Sequence, residues 1–161
     1  MGWVNLLAIK LTQEKMHYQV INASISGDLT INGLNRLPGL LKKYTPSIVI
    51  IELGGNDGLR GVPIKVISAN LEKMIVQSLE ANAKVLIAGM KIPPNYGKRY
   101  TEAFQQIFIQ LASAYKQPVI PFLLEGVGDK SSLMQADGIH PKAKAQPAIM
   151  LQVWKQLSLM L

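Results

Sequence analysis

The chain has 161 residues, of which 48% are hydrophobic and 17% charged, a balance typical of one globular domain with a core of ordinary size. It contains no cysteine, which excludes disulfides, thiolate nucleophiles and cysteine-based zinc sites. The net charge of +7 comes from scattered basic residues without an aromatic-rich motif, so nucleic-acid binding is not predicted. No apolar run approaches the roughly 18 to 20 residues that cross a bilayer, and no transmembrane segment is predicted.

The first segment, residues 1–16, lacks the basic leading residues and small-residue cleavage site of a secretory signal, although a longer precursor could carry one. Trp3, Leu7 and Leu11 fall on one helical face, which favours a helix. The alternative is a strand over 4–11, VNLLAIKL.

Short runs rich in Val and Ile then alternate with longer helical patterns. The predicted strands are 18–23, 47–53, 84–90 and 117–122. The predicted helices are 29–43, 65–81, 99–115 and 141–158, the last with Pro141 in its first turn. This alternation predicts a single α/β domain over 1–161, with a parallel sheet and right-handed crossovers.

Ligands of open parallel sheets collect beyond the carboxyl ends of the strands, so the loops there are the informative ones. After the first predicted strand comes SISGD (24–28), in which Gly27 allows close approach of a ligand and offers its N–H. The alternative is an ordinary turn between a strand and a helix.

After the second strand comes LGGNDGLRG (53–61), a glycine-rich polar turn. The Asn56 side chain can offer an N–H to a developing oxyanion. Alternatively, Asn56 and Asp57 cap the local backbone. The spacing matches neither a dinucleotide fingerprint nor a P-loop.

After the third strand comes KIPPNYGKRYTEAF (91–104), whose two prolines stiffen a loop that shapes a pocket or simply connects two elements. Near the end, DGIHP (137–141) places an acid three residues before a histidine. His140 can carry a proton, and Asp137 can hold its tautomer. The alternative is Asp137 as a turn residue and His140 as a helix cap.

These residues resemble the SGNH, or GDSL-motif, serine hydrolases, and among them the bacterial acyl-CoA thioesterase, lysophospholipase and arylesterase branch. NASISGD is similar to the second block, whose oxyanion glycine matches Gly27. ELGGNDGLRG resembles the third block, with its oxyanion asparagine at Asn56, and DGIHP resembles the fifth, with the catalytic pair at Asp137 and His140. The blocks keep their order, and the similarity runs from about Trp3 to the C-terminus.

The resemblance implies a flavodoxin-like three-layer sheet with helices on both faces, the SGNH hydrolase fold. It implies hydrolysis of a small-molecule acyl ester or thioester by a Ser-His-Asp triad, with no metal and no cofactor. Loop 57–62 is expected to shift around the acyl chain, and 91–97 to line the pocket. The substrate-binding residues expected on this basis are Gly55, Asp57, Gly58, Leu59, Pro94, Asn95 and Tyr96.

The sequence departs from the family in one respect, because nothing in it resembles the first block, Gly-Asp-Ser, with its serine nucleophile. Ser26 lies in a different loop from that nucleophile, and Ser24, Ser131 and Ser132 are no better placed. The favoured hypothesis is a truncated family member that is inactive alone. The alternatives are an acyl- or lipid-binding pseudoenzyme and a noncatalytic interaction module. A signal peptide on the full-length protein would make it periplasmic or secreted.

The missing block has a structural cost as well. In the flavodoxin-like order 2-1-3-4-5, the first strand lies inside the sheet. Without it, the strands at 18–23 and 47–53 lose their shared neighbour and leave backbone groups unpaired. We therefore expect the chain alone to be unstable, partly unfolded or associated, unless 4–11 fills the gap as a strand.

Overall fold

The computed structural model describes all residues of the chain, Met1–Leu161. They form two compact units. The terminal unit comprises residues 1–24 and 123–161, and the sheet unit comprises residues 25–122. Each unit has its own internal packing, and the single domain predicted for 1–161 stays a prediction.

Strands and helices alternate along the chain, as the sequence predicts. In chain order the elements are α1 (Trp3–Gln13), α2 (Thr30–Tyr44), β1 (Ile48–Ile51), α3 (Gly55–Leu59), α4 (Ile64–Glu80), β2 (Lys84–Ala88), α5 (Lys98–Tyr115), β3 (Val119–Ile120) and α6 (Gln146–Leu157). Short 3-10 turns cover Pro94–Tyr96 and Ala143–Ala145. None of the helices has both the length and the apolar character that a membrane crossing requires.

The sheet unit is built on three parallel strands in the order β1-β2-β3. Their β-branched residues fit the pleated backbone, and in the register Ile51 lies opposite Ile87. The strands predicted at 47–53, 84–90 and 117–122 are confirmed, each with shorter ends. The fold is therefore an α/β fold with a parallel sheet flanked by helices.

The core of the sheet unit lies between the sheet and the long helices. Phe104 and Phe108 of α5 pack edge to face, with ring centroids 5.4 Å apart and planes at 77°. Ile67 and Leu71 of α4 and Val85 of β2 join the same buried cluster. This packing fixes the ends of β1 and β2, and with them the loops that follow.

The strand β1 forms one edge of the sheet and pairs only with β2. Its residues Ile48, Val49 and Ile50 are half-buried, whereas Val85–Ala88 of β2 are buried. The outer edge of β1 therefore has backbone N–H and C=O groups without a strand partner, and such an edge can pair with another strand.

No strand forms at 18–23, so that prediction is wrong. The segment pairs with no other strand, and Tyr18 and Ile21 are exposed to 40% and 39%. An apolar pattern favours an extended backbone, but a strand also needs a neighbour that accepts and donates its ladder hydrogen bonds.

In the terminal unit, α1 packs against α6. Leu7 and Leu11 are buried, and the Trp3 N–H donates to Gln146 Oε1 at 2.9 Å. The predicted helix is therefore confirmed and the strand alternative at 4–11 is wrong, because the apolar side chains recur with the helical period and cover one face.

The last helix starts later than the sequence predicts. Pro141 lies outside it and pairs with Met134 in an isolated antiparallel bridge. The helix α6 instead begins at Gln146, with Pro147 in its first turn. The predicted range 141–158 is thus wrong at its start, because a second proline also suits a first helical turn.

Candidate active site

The loop that carries Gly27 is a tight turn at the start of the sheet unit. The Asp28 N–H donates to the Ile25 carbonyl at 3.3 Å, and Gly27 has a φ of +82°. This matches the third position of a type II turn, which glycine fills without strain. Gly27 is exposed, and no protein group accepts its N–H. That N–H is free to donate to an oxygen atom of a ligand.

The segment after β1 is shaped by glycines that the packing requires. Gly54 has a φ of +113°, and the Gly58 N–H donates to its carbonyl at 2.9 Å. A Cβ on Gly58 would lie 2.7 Å from Ile92 Cγ2 and 2.9 Å from Phe104 Cε2. The polar turn predicted over 53–61 therefore contains a short helix, α3, pressed onto the core.

Asn56 is the second residue of this short helix and is half-buried. Its Nδ2 donates to the Asp28 carbonyl at 3.1 Å. Since a carbonyl can accept only from the nitrogen of the amide, this bond fixes which end of the amide faces the Gly27 turn. The second hydrogen on Nδ2 has no protein acceptor. The hydrogen bond from Asn56 to Asp28 therefore links the Asn56 amide to the turn that contains Gly27. N–H groups held in this way can stabilise an oxyanion.

Asp57 lies inside the sheet unit, with 2% of the residue exposed. Its Oδ2 accepts the Thr30 N–H at 2.9 Å, and its Oδ1 accepts the Thr30 hydroxyl at 2.6 Å. The Thr30 oxygen also accepts from Asn70 Nδ2 at 3.0 Å. The carboxylate is thus engaged in holding the start of α2, and its part in substrate binding stays a prediction.

Sequence reasoning did not single out Thr30 or Asn70. The bond from Thr30 to Asp57 spans 27 residues, and the bond from Asn70 to Thr30 spans 40 residues. No local pattern connects residues so far apart. The available signal is the polar Asn70, which with Ser78 interrupts the largely apolar buried face of α4.

Two tyrosines fasten the loop that follows α3. The Tyr96 hydroxyl donates to the Leu59 carbonyl at 2.8 Å, and the Tyr100 hydroxyl donates to the Val62 carbonyl at 2.6 Å. Burial, followed by the negative charge of Asp57, raises the pKa of Tyr100 above its ordinary 10.0, so the hydroxyl keeps its proton and continues to donate. The sheet unit thus holds the loops 57–62 and 91–97 together.

The terminal unit pairs Asp137 with His140. Asp137 Oδ2 lies 2.8 Å from His140 Nδ1. The other oxygen, Oδ1, accepts the backbone N–H groups of Ile139 at 2.9 Å and His140 at 3.0 Å. A proton on Nδ1 facing the carboxylate leaves Nε2 free to take a proton from a reacting group. The side chain of His140 is 65% exposed, and Nε2 has no protein partner.

A small hairpin holds this pair in place. The Gln135 N–H donates to the His140 carbonyl at 2.7 Å, and the Lys142 N–H donates to the Leu133 carbonyl at 2.7 Å. At the tip, Gly138 has a φ of +68°. We call residues 133–142 the His140 hairpin, and it is joined to the preceding turn because the Leu133 N–H donates to the Lys130 carbonyl at 2.8 Å.

These backbone donors change the acidity of Asp137. The backbone N–H of His140, then its side chain, and then the backbone N–H of Ile139 lower the pKa of Asp137 from 3.8 to about 2. A carboxylate that stays ionised can stabilise a protonated imidazole.

Neither Asp137 nor His140 caps a helix, so the alternative for His140 is wrong.

The residues predicted for a site are divided between the two units. The sheet unit contains Gly27, Gly55, Asn56, Asp57, Gly58, Leu59, Pro94, Asn95 and Tyr96, and the terminal unit contains Asp137 and His140. The first set offers donors for an oxyanion, and the second offers a proton carrier with its orienting acid. Their catalytic and binding roles are proposals.

Comparison with known sequences points to hydrolases. Residues 1–147 match the GDSL-like lipase/acylhydrolase family. Esterase TesA of Pseudomonas aeruginosa is 49% identical over 156 residues, which are 97% of this chain and 78% of that protein. The arylesterase of Vibrio mimicus is 49% identical over 148 residues, 92% of this chain and 74% of that protein. Thioesterase 1/protease 1/lysophospholipase L1 of Escherichia coli K12 is 47% identical over 138 residues, 86% of this chain and 66% of that protein.

Solved structures of esterases have the same fold as this chain. The crystal structure of TesA superposes with a TM-score of 0.96 at 49% identity, covering 99% of this chain and 89% of that one. Esterase EstA from Pseudoalteromonas superposes with a TM-score of 0.93 at 41% identity, covering 99% of this chain and 87% of that one. The family match covers most of the sequence, and the fold is that of SGNH hydrolases. The chain therefore belongs to the GDSL-like lipase/acylhydrolase family.

Proposed function

We propose that this chain provides the acid–base pair and the oxyanion donors of a serine hydrolase that cleaves acyl esters or thioesters. His140 and Asp137 are the acid–base pair, and Gly27 and Asn56 are the donors. The nucleophilic serine lies outside these 161 residues, so the chain by itself shows negligible turnover. The observation that carries the proposal is the Asp137–His140 contact of 2.8 Å, with Nε2 of the imidazole free.

The chemistry assigns one task to each group. The serine oxygen attacks the acyl carbon while His140 Nε2 takes the hydroxyl proton. The carbonyl oxygen becomes an oxyanion, which the Gly27 N–H and the Asn56 amide stabilise. The intermediate then expels the alcohol or thiol, which receives the proton from His140. Water repeats these steps on the acyl-enzyme and releases the acid.

The relatives support this reaction class. They are named as an esterase, an arylesterase and a thioesterase/lysophospholipase, and the substrates of all these activities contain an acyl carbonyl. One structure of EstA is described as inhibited by monoethylphosphonate. A phosphonate is tetrahedral and anionic, as is the intermediate that oxyanion donors stabilise.

A fusion tests the proposal. The Gly-Asp-Ser block with its strand, taken from a family member, is placed before Met1, and hydrolysis of short-chain nitrophenyl esters is measured. We expect turnover by this fusion, none above background by a matched fusion with Ser replaced by Ala, and none by the 161-residue chain.

Ordinary turnover by the 161-residue chain would contradict the proposed external nucleophile. A folded fusion that binds an acyl ester without cleaving it would instead favour the noncatalytic acyl- or lipid-binding alternative.

A further inference from the structure

One buried carboxylate beside the proposed oxyanion donors has no part in the acyl-transfer chemistry. We propose that Asp57 is a positioning residue, which acts through Thr30 and Asn70 to hold the two donors at a fixed separation. The inference rests on the proposed function, since it takes Gly27 and Asn56 as those donors. We call Asp57, Thr30 and Asn70 the carboxylate brace.

Two consecutive residues of α3 bond to Asp28 and to Thr30, the first residue of α2. Asn56 Nδ2 donates to the Asp28 carbonyl at 3.1 Å. The Asp57 carboxylate accepts the Thr30 N–H at 2.9 Å and the Thr30 hydroxyl at 2.6 Å. These contacts join the turn of Gly27 to α3 within three residues of that glycine. The turn cannot move relative to the Asn56 amide unless these bonds lengthen or break.

The hydrogen-bond directions within the brace are fixed. A carboxylate only accepts, so the single hydrogen of the Thr30 hydroxyl points to Asp57. Asn70 Nδ2 then donates to the same hydroxyl oxygen at 3.0 Å, which ties the brace to α4. The three residues are 2%, 0% and 8% exposed. A buried polar network of this kind favours one geometry, because breaking a bond leaves a buried polar group unpaired.

Helix capping alone would predict a role in stability. The residue before α2, Leu29, supplies no side-chain cap, so Asp57 also serves the first-turn N–H and the positive end of the helix. A positioning role for Asp57 predicts an additional effect, on the rate of the chemical step. Donors stabilise an oxyanion well only when they already lie at hydrogen-bond distance from its position. A loosened brace should therefore slow the chemical step and leave substrate binding almost unchanged.

The first test uses the esterase fusion. We expect Thr30→Val to lower kcat by about 10- to 100-fold with KM changed less than about twofold, which is less than the ~100- to 1,000-fold loss on removing one donor. Thr30→Ser retains both bonds to Asp57 and should recover most of the lost kcat.

The matched control is Ser78→Ala. Ser78 lies on α4 with 0% exposure, and its hydroxyl donates to the Met74 carbonyl at 2.8 Å. Losing this hydroxyl should reduce stability without lowering kcat. Equal losses of kcat in Ser78→Ala and Thr30→Val would overturn the proposal, as would a Thr30→Val effect confined to KM.

The second test needs no turnover and uses the fusion with Ser replaced by Ala. Nitrogen-15 NMR follows the Asn56 side-chain amide and the Gly27 N–H. We expect both signals to shift in Thr30→Val and to stay unchanged in Ser78→Ala, and unchanged signals in Thr30→Val would contradict the brace. If Thr30→Val does not fold, Asn70→Ala removes only the donor to Thr30 and should shift the same signals and lower kcat to a smaller extent.

A separate variant tests the proposed function itself. If Asn56→Ala leaves kcat of the fusion unchanged, the oxyanion assignment is wrong. The NMR comparison then still reports whether the brace holds the two N–H groups.

Discussion

The His140 hairpin and residues 53–61, which we call the Asn56 loop, differ in the sequence distance over which their hydrogen bonds run. In the hairpin, Asp137 bonds to residues two and three positions away. In the sheet unit, residues 56 and 57 bond to partners 27 and 28 positions away. Exposure differs in the same sense, because the His140 side chain is 65% exposed and Asp57 is 2% exposed.

Because of this difference, we expect substitutions in the hairpin and in the Asn56 loop to affect different properties of the protein. The hairpin exposes the His140 ring to solvent, and removing the ring leaves no cavity and no unpaired buried group. The Asn56 loop is held by core packing and by a buried network. Its glycines and its carboxylate therefore affect folding and donor geometry together.

The largest expected effect is on turnover, from His140→Ala in the fusion. Removing the proton carrier should lower kcat by up to about a million-fold. Stability should change by less than about 0.5 kcal/mol, because the side chain is exposed. Ester hydrolysis and chemical denaturation of the same preparation measure both quantities. A clear loss of stability would show that the imidazole also supports the fold, as the buried residues of the Asn56 loop do.

A smaller effect, on stability this time, is expected from Gly58→Ala. The added methyl group would lie 2.7 Å from Ile92 Cγ2, and such overpacking costs about 1 to 3 kcal/mol. Gly39→Ala is the matched control, since nothing lies within 4 Å of the added carbon. In that exposed helical position, alanine should stabilise by up to about 1 kcal/mol. Equal denaturation midpoints for the two variants would show that α3 is not packed as described.

The same contrast explains what the sequence could predict. The Asp137–His140 pair was predictable because its residues are neighbours and its turn is closed by Gly138. The place of Asn56 after a strand was predictable, and its role as an oxyanion donor stays a prediction. Thr30 and Asn70 were not predictable, because only tertiary packing brings them to Asp57.

The fold shows the same limit. The long helices and three of the strands follow from periodicity and from β-branched runs, whereas the short α3 lies where the sequence predicts only a polar turn. The segment 18–23 carries a strand-like pattern yet stays unpaired, because pairing depends on a neighbour and not on the segment alone. The start of α6 was missed for a related reason, since Pro141 bonds across to Met134 and only the fold distinguishes it from Pro147.

A modest effect is expected at the tip of the hairpin. Gly138 has a φ of +68°, and a residue with a Cβ in this conformation costs about 1 to 2 kcal/mol. Gly138→Ala should destabilise the terminal unit by about that amount. Gly138→Asn should cost less, because asparagine tolerates the left-handed conformation. Denaturation of both variants tests the strain, and an alanine variant as stable as the parent would contradict it.

The smallest expected effect is on the protonation of Asp137, and it tests whether the hairpin residues alone produce the lowered pKa. The pKa of Asp137 lies at about 2, below its ordinary 3.8. A lowered pKa means that this group favours the folded state above pH 3.8 and that the contribution disappears as the pH falls through 2. Carbon-13 NMR of the Asp137 carboxyl in the fusion should therefore show a midpoint near 2.

His140→Ala should raise this midpoint only in part. The largest cause of the shift is the backbone N–H of residue 140, which alanine retains, while the side-chain hydrogen bond is lost. A peptide of residues 133–142 is the matched control. Because an isolated two-stranded hairpin is marginally stable in water, its Asp137 should titrate near the ordinary value. A peptide that keeps the low pKa would show that ten residues suffice without the terminal unit. A midpoint in the His140→Ala fusion that equals the peptide value would instead assign the whole shift to the imidazole.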